Sequence, residues 1–118
     1  VVVNMMYATP PFNTAIGYDL STGKQVWRYE HKLGTTITCC GPNNRGVAVH
    51  GPHVYMGTMD ARLVALDRMT GEVAWDIEVA DPAYGYSITA APLVVDDMVL
   101  IGVSGGADVS SPSAVVVR

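Results

Sequence analysis

The chain consists of short apolar stretches separated by glycine, proline and aspartate. In "RLVALD" (62–67) and "EVAWDIEV" (72–79) apolar and polar residues alternate, and this period of two is typical of half-buried β-strands. Between them "DRMTG" predicts a tight turn, because Asp67 can bond the backbone two residues on and Gly71 accepts a positive φ. We therefore predict a β-hairpin here, and we find no convincing helical pattern anywhere in the chain.

The pattern repeats along the chain. "IGYDLSTGKQVWRYE" (16–30) and "VALDRMTGEVAWDIE" (64–78) align without gaps at an offset of 48 residues. "GVAVHG" and "HVYMGT" precede the second copy as two further strands, and "APLVVDD" and "MVLIGVS" follow it as two more, with Asp96 and Asp97 at a turn. Each repeat therefore contains about four strands.

Four short antiparallel strands per repeat of roughly 40 to 50 residues are typical of β-propeller blades. We predict an all-β fold in which residues 1–118 form part of a β-propeller domain, with blade-like units at roughly 1–30, 47–79 and 91–118. This is about two to two and a half four-stranded blades, and about three repeats are normally needed for stability. We expect the chain to be an internal piece of a longer protein. We also expect that this piece does not fold well alone.

The repeated residues are expected to be structural. Trp27 and Trp75 occupy the same repeat position, and we predict that they pack between blades against the Thr-Gly turns. Asp19 and Asp67 are predicted to cap those turns.

Composition excludes some partners. The net charge is −4, whereas nucleic acids and anionic membranes attract a basic surface, so we expect neither as a partner. No apolar run approaches the roughly 20 residues that span a bilayer, so no membrane-spanning segment is predicted.

The two cysteines of the chain, Cys39 and Cys40, are adjacent in "TCCGPNNRG". Neighbouring Cα atoms lie about 3.8 Å apart, whereas an ordinary disulfide joins Cα atoms roughly 4.4 to 6.8 Å apart. A disulfide between them would close a small strained ring that adds little stability. The alternative is a pair of buried free thiols, since cysteine often behaves as a small buried apolar residue.

Two motifs carry a family resemblance. The "D-x-x-T-G-x-x-x-W" unit resembles the tryptophan-docking motif of eight-bladed propellers, which include the quinoprotein alcohol dehydrogenases that use pyrroloquinoline quinone (PQQ) and also non-enzymatic outer-membrane assembly lipoproteins. "TCCGPNNRG" resembles the PQQ-site segment of the methanol and alcohol dehydrogenase branch. The resemblance implies that Cys39 and Cys40 form a vicinal disulfide that stacks on the quinone. It also implies that Arg45 hydrogen-bonds the quinone oxygens, which suits a guanidinium that is always charged.

A further segment, "YSITAAPLVVDDMVLIGVSGG", resembles the second cofactor segment of the same family. The resemblance implies that Thr89 hydrogen-bonds PQQ and that Ser104, Gly105 and Gly106 contact its carboxylates. Small residues suit this role because they let the backbone approach an anion closely. In the family the next residue is a glutamate that binds Ca²⁺ or a lanthanide, but here it is Ala107, so we assign no metal ligand to this chain.

The resemblance implies that the parent protein oxidises a primary alcohol by hydride transfer to PQQ, with Ca²⁺ or a lanthanide bound and cytochrome c as electron acceptor. It also implies a periplasmic location, which agrees with a disulfide. The family's catalytic aspartate lies in later blades, so we assign no catalytic residue here and expect the isolated chain to be inactive. The substrate and the oligomeric state stay open. The alternatives are a non-catalytic propeller scaffold that binds proteins and a PQQ binder that has lost its metal site.

Overall fold

The computed structural model describes residues 3–32, 44–81, 86–105 and 114–117. These residues form short β-strands and contain no α-helix, so the all-β prediction is confirmed, and none of them lies in a helix that could cross a membrane. The strands are β1 (Met5–Ala8), β2 (Thr14–Asp19), β3 (Lys24–Glu30), β4 (Ala48–His50), β5 (His53–Gly57), β6 (Arg62–Asp67), β7 (Val73–Glu78), β8 (Tyr86–Ser87), β9 (Leu93–Val95), β10 (Met98–Gly102), β11 (Ser104–Gly105) and β12 (Ala114–Val117).

The strands form antiparallel sheets that mostly follow the order of the chain. The first sheet has the order β1-β2-β3 and the second β4-β5-β6-β7, so consecutive strands are neighbours in both. In the third sheet β10 lies between β9 and β12. β8 and β11 pair as a separate two-stranded sheet. The strands expected from the apolar pattern are all present, but β8 and β11 had no sequence signal of their own.

Equivalent turns close the outer hairpins of the first two sheets. The Asp19 carboxylate accepts a hydrogen bond from the backbone N–H two residues on at 2.8 Å, and Asp67 does the same at 2.8 Å. Gly23 and Gly71 have φ of 72° and 76°, a conformation that is strained for residues with a Cβ. The prediction that both aspartates cap turns is confirmed.

Trp27 packs between the first two sheets. A Cβ added to Gly17 in its own sheet would come within 2.6 Å of the indole, and one added to Gly71 in the next sheet within 2.7 Å. The indole N–H donates to the carbonyl of Arg68 at 2.9 Å, and the Tyr7 hydroxyl donates to the same carbonyl at 3.3 Å. We call these five residues the Trp27 junction. For Trp27, the predicted docking between blades is confirmed.

The central strands of the second sheet, β5 and β6, are buried on both faces. Residues 63–66 of β6 are all 0% exposed, so the prediction of a half-buried strand is wrong for β6. One face packs against the first sheet in a core that contains Trp27, Val54 and Val64, and the opposite face packs in a second core that contains Tyr55, Leu63 and Val99. Because both faces meet apolar neighbours, apolar residues at consecutive positions are favourable here.

Candidate functional site

Arg45 and Thr89 lie far apart in sequence and meet through two hydrogen bonds. The backbone N–H of Arg45 donates to the carbonyl of Thr89 at 2.8 Å, and one guanidinium N–H donates to Thr89 Oγ1 at 2.9 Å. Thr89 is buried at 4% exposure, whereas Arg45 is exposed. Two residues that were predicted from separate motifs of one family therefore form one structural unit, which we call the Arg45–Thr89 pair.

The third predicted segment reaches the same region through strand pairing. Ser104 lies opposite Ser87 in the β8–β11 sheet, and Gly105 lies opposite Tyr86. Thr89 follows β8 by two residues, so the segment that carries Ser104 and Gly105 is held beside the segment that carries Thr89. The predicted residues Cys39, Cys40, Gly106 and Ala107 lie outside the described residues.

Asn44 braces the chain beside Arg45. Its side-chain N–H donates to the carbonyl of Gly57 at the end of β5, and its Oδ1 accepts from the N–H of Gly46, each at 2.9 Å. Its backbone carbonyl accepts from the Thr9 hydroxyl at 3.4 Å. Sequence reasoning did not single out Asn44, although it stands next to Arg45 in the quoted motif.

The turn after β5 contacts both the segment that carries Arg45 and the segment that carries Thr89. Asn44 binds the carbonyl of Gly57, and the N–H of Ile88 donates to the carbonyl of Thr58 at 2.9 Å. The approach is close, because a Cβ on Gly57 would lie 2.1 Å from the Ile88 side chain. The turn is held from the other side as well, since the N–H of Met59 donates to the Asn13 side chain at 2.8 Å.

A buried polar cluster anchors this turn to the end of the first sheet. His31 Nε2 lies 3.1 Å from the Asp60 carboxylate, and the two side chains are 8% and 7% exposed. The Tyr29 hydroxyl lies 2.9 Å from His31 Nδ1, and the Thr58 hydroxyl donates to Asp60. Arg62 Nε lies 2.7 Å from Asp76, whose other carboxylate oxygen is 4.0 Å from His31 Nδ1. No sequence pattern predicted this cluster, because its members are single residues on separate strands and turns.

Two pKa shifts follow from this cluster. Burial alone would raise the pKa of Asp60, but hydrogen bonds from His31 and Thr58 and the charge of His31 outweigh it, so the pKa lies below its ordinary 3.8. Burial raises the pKa of Tyr29, and the carboxylates of Asp76 and Asp60 raise it further. Asp60 is therefore a carboxylate across the neutral range, and Tyr29 keeps its proton.

Ser87 presents a buried hydroxyl whose Oγ has no hydrogen-bond partner among the residues that the structure describes. A buried polar atom without a partner is unfavourable by about 1 to 3 kcal/mol, so such an atom often faces a ligand or water. Ser87 lies two residues before Thr89 and opposite Ser104. It is a candidate ligand contact that the sequence pattern did not reveal, because a serine in a short strand carries no distinctive signal.

The side chains suit a ligand with acceptor oxygens. A guanidinium has five N–H donors, and within the described ranges the hydrogen bonds of Arg45 engage one of them, on Thr89 Oγ1. None of the carboxylates in those ranges forms an ion pair with Arg45. Among the described residues, no group of three or more His, Cys, Asp or Glu side chains could hold a metal ion. The described site can thus donate hydrogen bonds to an anionic ligand.

Comparison with known proteins gives two kinds of relative. The family model described as "Outer membrane protein assembly factor BamB" matches residues 2–114. Quinoprotein alcohol dehydrogenase PedH from Pseudomonas putida is 46% identical over 103 residues, which are 86% of this chain and 17% of that protein. The 1-butanol dehydrogenase (cytochrome c) of Thauera butanivorans is 39% identical over 112 residues, which are 92% of this chain and 16% of that protein.

A solved structure of a dehydrogenase is also similar to the chain. A europium-containing methanol dehydrogenase superimposes with a TM-score of 0.83 and 37% identity over 89% of this chain and 19% of that chain. The chain thus spans less than a fifth of the length of each of these three relatives. The prediction of a partial propeller segment is confirmed by this agreement of folds.

Proposed function

The chain belongs to the repeat family that the BamB model describes and, within it, to the PQQ-dependent methanol and alcohol dehydrogenases, and on this premise we propose that it supplies one wall of a PQQ site. The observation that carries the proposal is the Arg45–Thr89 pair. Two residues that were assigned to the cofactor from separate motifs are joined by hydrogen bonds of 2.8 and 2.9 Å. The exposed guanidinium retains N–H donors for acceptor oxygens.

The proposed roles follow from the chemistry of each group. Arg45 donates to the quinone oxygens and stabilises the negative charge that develops on them, which a fixed and always-charged donor does effectively. Thr89 orients Arg45 through its hydroxyl and its carbonyl and contacts the cofactor edge. Ser104, Gly105 and Gly106 bind the carboxylates of PQQ, and Cys39 and Cys40 form a vicinal disulfide that stacks on the ring.

The parent protein would oxidise a primary alcohol. PQQ, when bound, supplies a quinone carbonyl that accepts hydride from the carbinol carbon, and a bound Ca²⁺ or lanthanide polarises that carbonyl. The proposed site residues hold and shield the cofactor, and the family's catalytic aspartate is expected in later blades, so the isolated segment would be inactive. Because one relative is named for cytochrome c, a cytochrome is the proposed electron acceptor, and the proposed location is the periplasm.

Two other functions remain in competition. One is a protein-binding scaffold, which is favoured by the match to the BamB model. It requires the Trp27 junction but gives no reason for an exposed arginine held by a buried threonine. The other is a PQQ binder without turnover, which is favoured by Ala107 at the position where a metal-binding glutamate was expected.

The test uses the full-length parent, reconstituted with PQQ and either Ca²⁺ or La³⁺. Absorbance of bound quinone and dye reduction by methanol and ethanol are measured for wild type, Cys39→Ser/Cys40→Ser and Arg45→Ala. Arg28→Ala is the matched control, because Arg28 is exposed and pairs with Glu30 on β3. We expect the wild type to turn over the alcohol. The two site variants should have reduced turnover, and the Arg28→Ala control should keep the wild-type rate.

Each alternative has its own signature in this experiment. Bound quinone without turnover with either metal supports the inactive binder. No bound quinone in the wild type contradicts a PQQ site and leaves the scaffold.

A further inference from the structure

Asn44 connects three separate segments of the chain. Its side chain donates to the carbonyl of Gly57 at the end of β5 and accepts from the N–H of Gly46, both at 2.9 Å. Its carbonyl accepts from the Thr9 hydroxyl before β2 at 3.4 Å, which is a longer and weaker contact. Both strong bonds are made by the side-chain amide, one through its donor and one through its acceptor.

These bonds enclose Arg45. The residue before it is tied to β5 and the residue after it is tied back to Asn44, while the N–H of Arg45 itself donates to Thr89 at 2.8 Å. Gly46 has a φ of 114°, which bends the chain directly after Arg45 into a conformation that favours glycine. Asn44 holds that bend closed through the Gly46 N–H.

We propose that Asn44 is a positioning residue that fixes the backbone of Arg45, so that the guanidinium is held against Thr89 before PQQ binds. The inference rests on the proposed function, since it concerns the same site. A ligand-binding group must be held within about 0.5 Å of its productive position, and an arginine has a long, flexible side chain. Fixing its backbone removes one source of that freedom before the ligand arrives.

The chemistry of the amide explains why asparagine suits this position. One short side chain must donate to a carbonyl on one side and accept from an N–H on the other. Aspartate would keep the acceptor for Gly46 but would place a negatively charged oxygen 2.9 Å from the Gly57 carbonyl, which also carries partial negative charge. Alanine would lose both bonds. The two substitutions therefore separate the donor function from the acceptor function.

The first measurement is PQQ affinity in the full-length apoprotein, determined by equilibrium titration. For Asn44→Ala and Asn44→Asp we expect binding to weaken about 10-fold, the lower range for losing a group that supports a ligand contact. Val54→Ala is the matched control: it removes apolar volume from a core residue at 0% exposure, so it should lower stability and leave the affinity for PQQ unchanged.

A double-mutant cycle separates positioning from general loop stability. If Asn44 acts through Arg45, then Asn44→Ala should change the affinity less than about 2-fold when Arg45→Ala is already present. Independent effects that multiply would overturn the proposal. An affinity loss in Val54→Ala equal to that in Asn44→Ala would also overturn it, because stability alone would then explain the result.

The second measurement does not depend on the cofactor. Hydrogen exchange of peptides that contain the Arg45 amide is followed in the apoprotein by mass spectrometry. We expect faster exchange in Asn44→Ala than in wild type. The reason is that the Arg45 N–H, which donates to the Thr89 carbonyl, is then no longer held in place. If wild type binds no PQQ, the proposed function fails and this exchange decides the positioning proposal alone: faster exchange supports it and unchanged exchange overturns it.

Discussion

The Trp27 junction and the Arg45–Thr89 pair both join distant parts of the chain, yet they are built differently. In the junction, an indole is enclosed by glycines from two sheets and donates its single N–H to a backbone carbonyl. In the pair, an exposed guanidinium engages a buried threonine and keeps further donors available. The indole N–H of the junction is used in a hydrogen bond, whereas the Arg45 guanidinium keeps N–H donors that none of the described residues accepts.

The same contrast extends to the surroundings of the two regions. Three of the five junction residues recur at the 48-residue offset, where Trp27 matches Trp75, Gly71 matches Gly23 and Tyr7 matches Tyr55. The site and its supporting turn use single residues, including Asn44, whose equivalents at that offset are different residues. Residues that recur therefore form most of the junction, whereas the proposed cofactor contacts fall on residues that depart from the repeat.

The largest expected effect comes from breaking the polar cluster behind the site. Asp60→Ala removes the hydrogen-bond partner of His31 and the acceptor of Thr58, where the His31 and Asp60 side chains are 8% and 7% exposed. Each buried donor left without its acceptor lowers the free energy of unfolding by about 1 to 3 kcal/mol, and this substitution affects two donors. Chemical denaturation of the parent measures this, with Asp97→Ala at a surface turn as the control. A loss no larger than that of the control would show that the cluster does not hold the turn.

The second prediction compares equivalent glycines. Gly71→Ala and Gly23→Ala both place a Cβ at a φ near 75°, so both suffer backbone strain of about 1 to 2 kcal/mol. Only the Cβ at Gly71 would meet Trp27, at 2.7 Å, since nothing lies within 4 Å of the other. We expect Gly71→Ala to lose a further 1 to 3 kcal/mol or so of unfolding free energy. Equal losses in denaturation experiments would contradict docking of Trp27 on Gly71.

The third prediction concerns pH. The pKa of Asp60 in the folded protein lies below its ordinary 3.8, so the carboxylate stabilises the fold above that pH. This contribution should diminish as the pH falls through the lower folded pKa, because protonation then removes the charge. The stability difference between wild type and Asp60→Asn should therefore be constant near neutral pH and shrink below about pH 4. A difference that stays constant down to pH 3 would contradict the assignment.

The smallest expected effect compares the two tryptophans. Trp27→Phe removes the hydrogen bond to Arg68, which contributes about 1 kcal/mol. Trp75 occupies the equivalent strand position but is only partly buried, so Trp75→Phe serves as the matched control. Thermal unfolding of the parent should show a lower midpoint for Trp27→Phe than for Trp75→Phe. The reverse order would show that the bond to Arg68 adds no stability.

Local pattern and repeat were enough to predict most strands, the aspartate-capped turns and the docking of Trp27. These features depend on neighbours in sequence or on a recurring position, and both can be read from one chain. The burial of β6 on both faces could not be predicted, because it depends on which sheets pack on either side. The pairing of β8 with β11 involves two residues in each strand, too few to form a pattern.

The site was predictable only in part. Arg45, Thr89 and Ser104 came from resemblance to a family, and the structure joins the first two. Asn44 and the His31–Asp60 pair could not be found from sequence, because Asn44 donates to the distant Gly57 and His31 lies 29 residues from Asp60. Ser87 could not be found either, because a serine in a short strand carries no distinctive signal. The cofactor roles of Arg45, Thr89 and Ser104 stay predictions, and so do those of Cys39, Cys40, Gly105 and Gly106.

The most direct test of the proposed cofactor wall is a crystal structure of the full-length parent with PQQ bound. We expect density for the quinone against Cys39 and Cys40, its oxygens within hydrogen-bond distance of the Arg45 guanidinium, and its edge beside Thr89 and Ser104. PQQ bound elsewhere, or bound without contacting Arg45, would contradict the proposal that this segment forms the wall of the site.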